Sequence, residues 1–309
     1  MTGGAGFIAS HLVDRLVLDD TQEIVIYDNL YRGRRENINH HRGNSRVVFM
    51  EDDIRDYTRL MEAARGSDII YHLAAQSNVM GAVNDPEYSF TTNVIGSYNV
   101  LKVASQTGVR KVIFSSSREV YGEPRSLPVD EEHPIGSKNP YGASKVAGEM
   151  YCRVFNNLFG VEVAILRLTN VYGPRDYDRI ITIWLDCALK GQDLVVYGGK
   201  QVIDFVWIDQ VVEAMLRAAQ IDLGDQVVNI GSGKGVHILD LANRILNLFQ
   251  TKSKIDLQPA RAPEVVKFIA NVKLMQHVLG LEPPEDALFG LPRLLQNVNW
   301  GRSLCSNGY

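Results

Sequence analysis

The sequence predicts an α/β chain: a doubly wound parallel sheet followed by a smaller C-terminal unit. Two observations predict it. Short apolar runs at 24–28, 47–50, 68–75, 111–117 and 163–167 alternate with stretches of helical periodicity. Such alternation places helices on both faces of a parallel sheet. A glycine-rich turn, Thr2-Gly3-Gly4-Ala5-Gly6, also runs straight into an apolar-periodic helix opening with Phe7-Ile8. At 309 residues the chain is long enough for one large or two modest domains.

Taken in order, the glycine turn has small residues at Gly3, Gly6 and Ala9. Residues without bulk let the backbone approach a pyrophosphate, and the following helix points free N–H groups and its positive end at it. The run at 24–28 ends in Asp28, placed to accept hydrogen bonds from a ribose 2′-hydroxyl and to repel a 2′-phosphate, which favours NAD over NADP. Arg32, Arg34 and Arg35 read as a solvated loop edge. This is a Rossmann pattern whose first strand is apparently missing. The expectation is a misplaced start or a fragment, with the central position of the sheet empty and unpaired.

The next strands end in carboxylates and small residues: Asp53-Ile54, with Asp53 a candidate for an adenine amino group, and Ala74-Ala75, where backbone could pass close to a ligand. The strand at 111–117 closes on Ser115-Ser116-Ser117, at the sheet end where doubly wound folds bind ligands. A proline-rich loop then delivers Tyr141 to the start of a long amphipathic helix reaching about residue 159, with Lys145 one turn on. A free phenol titrates near pH ~10, so a tyrosine base near neutrality needs about 3 units of help, or ~4 kcal/mol. A fixed ammonium supplies part of it. Gly173-Pro174 marks a break. The expected division is 1–172 for the nucleotide domain, with 226–231 returning to it, and 173–309 for the substrate domain.

Composition narrows the partners. A formal net charge of −4 gives no case for nucleic acid. No apolar run reaches the ~18 residues of a membrane span, and the start lacks a signal-peptide pattern, so the expected location is cytoplasmic. Cys152, Cys187 and Cys305 are too few and too far apart for a disulfide framework and are expected to be reduced. The histidines show no ligand spacing, His40-His41 reads as a solvated pair, and no metal is expected.

The ordered set Thr2-Gly3-Gly4-Ala5-Gly6-Phe7-Ile8, Asp28-Asn29-Leu30, Asp53-Ile54, His72-Leu73-Ala74-Ala75, Asn93-Val94-Ile95-Gly96, Ser115-Ser116-Ser117, Tyr141-Gly142-Ala143-Ser144-Lys145 and Arg167 to Pro174 resembles the extended short-chain dehydrogenase/reductase family, specifically its nucleotide-sugar epimerases and dehydratases. The resemblance implies a bound NAD held by Gly3, Gly6, Phe7, Ile8, Asp28, Asn29, Asp53, Ile54, Ala74, Ala75, Asn93, Ser115, Tyr141 and Lys145. It implies that Tyr141, as tyrosinate, takes the proton of the sugar 4-hydroxyl, that Lys145 lowers its pKa, and that Ser117 holds the 4-oxygen. For the substrate, a UDP-sugar, it implies Ser77, Asn78, Ser117, Asn170 and Arg261. Ile203 stands where the family usually has a phosphate-binding Arg, a loss for which Lys200 could compensate as a point charge. The helices near 93–105 and 141–159 carry apolar faces that, in the family, pair two copies into a homodimer.

Ser117-Arg118-Glu119-Val120-Tyr121-Gly122 decides the reaction. By resemblance, 4,6-dehydratases and decarboxylases use a Glu where Glu119 stands, but Arg118 occupies the place of the dehydratase's proton-donating Asp, and an Arg cannot give up a proton near pH 7. The decarboxylases also rely on the Arg replaced by Ile203. The reading is therefore a 4-epimerase acting through a transient 4-keto sugar. The alternative is a 4,6-dehydratase using Glu119; a second alternative is a non-catalytic NAD-binding regulatory module, against which the intact Ser117, Tyr141 and Lys145 argue.

Overall fold

The computed structural model describes residues 1–296, apart from Asp20, Asp225 and Gln250. Phe7–Leu18 forms α1, followed by β1 (Ile24–Tyr27), β2 (Val47–Met50), α2 (Tyr57–Ala64) and β3 (Ile69–His72). Two short helices, α3 (Val79–Asn84) and α4 (Pro86–Phe90), lead through a π turn into α5 (Gly96–Thr107), β4 (Lys111–Ser117), α6 (Pro140–Phe159) and β5 (Glu162–Leu168). Then come β6 (Asn170–Tyr172), α7 (Ile180–Leu189), β7 (Leu194–Tyr197), β8 (Val202–Trp207), α8 (Ile208–Gln220), β9 (Val227–Ile230), β10 (Gly235–His237), α9 (Ile238–Phe249) and β11 (Ile255–Gln258).

The main sheet is parallel throughout. β1 pairs with β2 on one side; β3, β4, β5 and β9 run in that order on the other. Almost every residue of β4, β5 and β9 is buried, as continuous apolar strands covered by helices on both faces require. Val227–Ile230 therefore comes back to the main sheet beside β5.

The centre of the sheet corrects one expectation. The position between β1 and β3 is not empty: Thr2 bridges Tyr27 on one side and His72 on the other. The Thr2 N–H donates to Tyr71 O (3.0 Å), Leu73 N–H to Thr2 O (3.1 Å), and Gly3 N–H to Tyr27 O (2.8 Å). One rung of backbone thus joins the two halves, because a parallel ladder needs donors and acceptors on both edges. His72 reinforces it. Ser97 Oγ donates to the Asn93 carbonyl, so the His72 Nε2–H donates to Ser97 (2.8 Å) and Nδ1 accepts from Thr2 Oγ1 (2.7 Å). Burial pushes this imidazole down to about 3, so it is neutral near pH 7.

α6 carries the long helix read from the sequence. Asn139 caps it by accepting from Gly142 N–H (2.9 Å), Pro140 takes the first helical position, and Gly160 ends it in the left-handed region at φ 67°. Its inner face buries Glu149, whose carboxylate pairs bidentately with Arg167 of β5 at 2.9 and 2.7 Å. Arg167 in turn donates to Tyr121 Oη (2.8 Å), which donates to Asn229 of β9. The chain order β4–α6–β5–β9 is fastened by one buried polar network in which every charge is paired.

Residues after β5 build two smaller sheets, β10-β8-β6 and β11-β7. The largest apolar cluster runs without a break from Leu12 and Ile113 in the first half to Phe205, Met215 and Leu241 in the second. Cys152 is a buried free thiol. Cys187, expected to be reduced, is disulfide-bonded. Cys305 lies outside the described residues. Among the described residues no helix is long and apolar enough to cross a membrane.

Candidate active site

Two contiguous cavities, of about 300 and 390 Å³, run along the carboxyl ends of the main sheet and into the later residues. They share Ser77, Arg118, Glu119, Asn170, Asp176 and Arg179 at their junction.

The first cavity is floored by the glycine turn. Gly3 adopts φ +72°, and a Cβ there would sit 2.6 Å from Ala74 N, so only glycine allows the two backbones to form this wall. α1 opens at Gly6 with no side-chain cap and no acid in its first turn, and Gly6, Phe7 and Ile8 line the cavity. Asp28 lies at its far wall, buried, accepting from Ala5 N–H (2.9 Å) and Leu30 N–H (2.8 Å). Burial pushes its carboxyl above the usual range, against those two hydrogen bonds. A side chain at Gly33 would meet it at 2.6 Å. A turn without side chains, an uncapped helix start and a buried acid lining the same cavity together fit a dinucleotide.

At the junction, β4 ends where α6 begins. Tyr141, Ser117 and Lys145 all line the first cavity. Burial pushes the phenol up; the Ser117 hydroxyl and the charges of Arg179 and Arg32 pull it down, while Glu119 pushes it up. The Lys145 ammonium lies 5.9 Å from the Tyr141 ring centroid and donates to Ser115 O at 2.7 Å. Burial lowers Lys145 to about 8, partly offset by Glu149 one turn on. The main cations acting on Tyr141 are therefore two arginines that sequence reading did not select. Both are tied to the segment after Gly173-Pro174: Arg32 pairs with Asp178, Arg34 stacks 3.9 Å above the Tyr177 ring, and Asp176 pairs with Arg179 at 3.2 Å. Burial pushes Asp176 up to about 7. The charged run at 175–179, directly after Gly173-Pro174, was the visible signal of this strap.

Glu119 is buried and committed: Arg118 Nη2 lies 3.0 Å from Oε1, and Asn139 Nδ2 donates to Oε2 at 2.8 Å. Arg118 Nε also donates to Asn170 Oδ1 (2.8 Å). The second cavity is lined by Asn78, Gln201, Ile203, Arg261 and Glu264 as well. Arg261 lies 3.5 Å over the Tyr197 ring and 3.8 Å from Glu264.

The structure gathers most of the expected residues and sets three apart. Asn29, Ile54, Ala74, Ala75 and Ser115 line the first cavity; Ser77 and Asn170 line both; Asn78 and Arg261 line the second. Asp53 lies beside the first cavity's wall, with its oxygens taken by Asn29 (2.8 Å) and Arg55. Asn93 spends its amide on Gln76 and Ser144 behind that wall. Lys200 is exposed and lines neither cavity, whereas Ile203, three residues on, lines the second.

The profile of the NAD dependent epimerase/dehydratase family matches residues 1–231. A Methanocaldococcus jannaschii protein assigned as UDP-glucose 4-epimerase is 38% identical over 97% of both chains. Among solved structures, the Thermotoga maritima UDP-glucose 4-epimerase with UDP-glucose superposes with a TM-score of 0.89 at 32% identity, covering 96% of this chain and 98% of that one. DesIV, a dTDP-glucose 4,6-dehydratase from Streptomyces venezuelae with NAD bound, does so with 0.92 at 29% identity, covering 97% of each.

Proposed function

We propose the reaction from the premise that the chain belongs to the NAD dependent epimerase/dehydratase family: it is a nucleotide-sugar 4-epimerase for a UDP-hexose. One observation carries the choice. Glu119, the residue a dehydratase would need, is held between Arg118 and Asn139, whereas Ser117, Tyr141 and Lys145 line the first cavity together.

In this reading the NAD that the first cavity would hold would supply the hydride chemistry at the sugar C4, in both directions. The chain supplies everything else. Gly3, Gly6 and the start of α1 hold the pyrophosphate, and Asp28 the adenine ribose. Tyr141 takes the 4-hydroxyl proton as the sugar is oxidised and gives it back on reduction; Ser117 holds the 4-oxygen beside it. Asn170 and Arg261 hold the diphosphate in the second cavity, leaving the 4-keto sugar free to turn over between the two hydride steps. Arg118, on the wall shared by both cavities, stands in for the cation absent at Ile203. An exposed apolar face formed by Tyr98 of α5 with Met150, Val154 and Leu158 of α6 pairs two copies, and the enzyme works in the cytoplasm.

The test is product analysis after incubation with NAD and UDP-glucose, UDP-N-acetylglucosamine or UDP-glucuronate. A product of unchanged mass with an inverted C4 is expected. Loss of one water would instead establish the dehydratase reading that Glu119 and the likeness to DesIV support.

A further inference from the structure

Outside the cleft, the fold assembles a cluster that sequence spacing hides. Asp14 projects from α1, and His40 and His41 from a single 3₁₀ turn at Asn39–His41. The ligand atoms of all three lie within 4.8 Å of one another. Both imidazoles direct Nε2 at the same oxygen, Asp14 Oδ1, each at 2.7 Å, with their ring centroids 4.1 Å apart. One carboxylate oxygen thus meets two nitrogens, while its other oxygen accepts from Arg175 Nη2 at 2.7 Å.

We propose that Asp14, His40 and His41 bind a divalent transition-metal ion of the Zn²⁺ or Co²⁺ type. Two imidazoles and one carboxylate form a donor set that suits these ions rather than Mg²⁺ or Ca²⁺, which take oxygen ligands. Bonds of about 2.0–2.1 Å to a tetrahedral ion separate its ligands by about 3.3 Å. The 2.7 Å Nε2–Oδ1 spacings therefore need to open by roughly 0.6 Å. His40, half-exposed on its short turn, has room to do this. Three protein ligands leave the remaining positions to water. Arg175 then acts as the outer partner that orients the ligating carboxylate, the usual role of a hydrogen bond to the oxygen facing away from an ion.

The position gives the ion a consequence. Arg175 lines the first cavity and holds a left-handed backbone at φ +65°. Its neighbour Pro174 has its carbonyl 2.8 Å from His11 Nε2 on α1. An ion on Asp14 fixes the root of the 175–179 strap against α1.

The experiment is equilibrium dialysis of the full chain against Zn²⁺ with metal analysis, and titration with Co²⁺ followed by its visible absorption. One ion per chain is expected, with a Co²⁺ band showing nitrogen ligation and a melting temperature that rises with ion concentration. His40→Ala/His41→Ala, made at surface positions, should keep its fold by circular dichroism and lose the ion; Asp14→Asn should weaken it, and Arg175→Lys should retain it. Uptake in the double variant equal to that of the natural chain, or no uptake by the natural chain, overturns the proposal. Neither readout depends on turnover, so the site stands or falls apart from the epimerase reading.

Discussion

The two ends of the cleft are made differently. At the cofactor end, backbone does the holding: Gly3 against Ala74, the bare start of α1, and an acid set by two main-chain N–H groups. At the sugar end, long charged side chains do it: Arg118 on Glu119 and Asn170, Arg261 over Tyr197, and the strap of Asp176, Asp178 and Arg179. Backbone cradles are rigid and general, because every dinucleotide presents the same pyrophosphate. Side-chain cradles can be rewired by single substitutions, and that is how Ile203 can replace an arginine without emptying the cavity of cations. Relatives with different chemistry, an epimerase and a dehydratase, superpose equally well on this chain, as expected if they share the first end and differ at the second.

Five variants probe that contrast. The largest effect is expected where the ends meet: Tyr141→Phe should lower kcat by about 10²- to 10⁴-fold, the range for a lost acid–base group, while NAD still binds. Turnover unchanged in this variant would show that Tyr141 is not the acid–base group. Next, Gly3→Val should abolish retained NAD, measured by absorbance of the purified protein. A side chain there must clear Ala74 N at 2.6 Å from a left-handed backbone, a strain of about 1–3 kcal/mol before the ligand is considered. If NAD remained, the backbone cradle would not be the holding device.

At the sugar end, Arg261→Ala should raise KM about 10- to 100-fold, matching a charge-assisted hydrogen bond of about 1.5–3 kcal/mol, with kcat little changed. Lys200→Ala, outside both cavities, should change neither. Equal losses in the two would mean that Lys200 reaches the substrate after all. The smallest effect is a pH shift. Arg179 lowers the Tyr141 phenol by its charge. Arg179→Gln removes a cation, so the tyrosinate is less favoured, its pKa rises, and the acid limb of kcat/KM moves to higher pH. A limb that stayed in place would assign the control of Tyr141 to Lys145, as the sequence alone suggested.

The fold was legible because its signals are local. The glycine turn, the apolar strand runs and the long helix from Tyr141 to about residue 159 each arise from signals a few residues apart, and they appear in the structure where the sequence put them. The same is true of Ser117, Tyr141 and Lys145, since strand ends and helix starts of a doubly wound sheet must converge. Asn93 shows the limit of this reasoning. Its place in a motif was correct, but the side chain turns behind the wall to join Gln76 and Ser144, an orientation set by packing rather than by position in the chain.

What the sequence by itself determined is therefore the alternation of strands and helices, the glycine turn at the start of α1, and the gathering of Ser117, Tyr141 and Lys145 at one cavity. Tertiary structure alone decided the rest: that one rung at Thr2 joins the halves of the sheet, that Asn139 holds Glu119 from across a loop, that the charges of Arg32 and Arg179 both act on the Tyr141 phenol, and that Asp14 faces two histidines. The reason is physical. Periodicity and turn chemistry act over one or two turns of chain, whereas a charge is paired or a ligand cluster closed by groups that lie far apart in sequence and meet only once the core has packed.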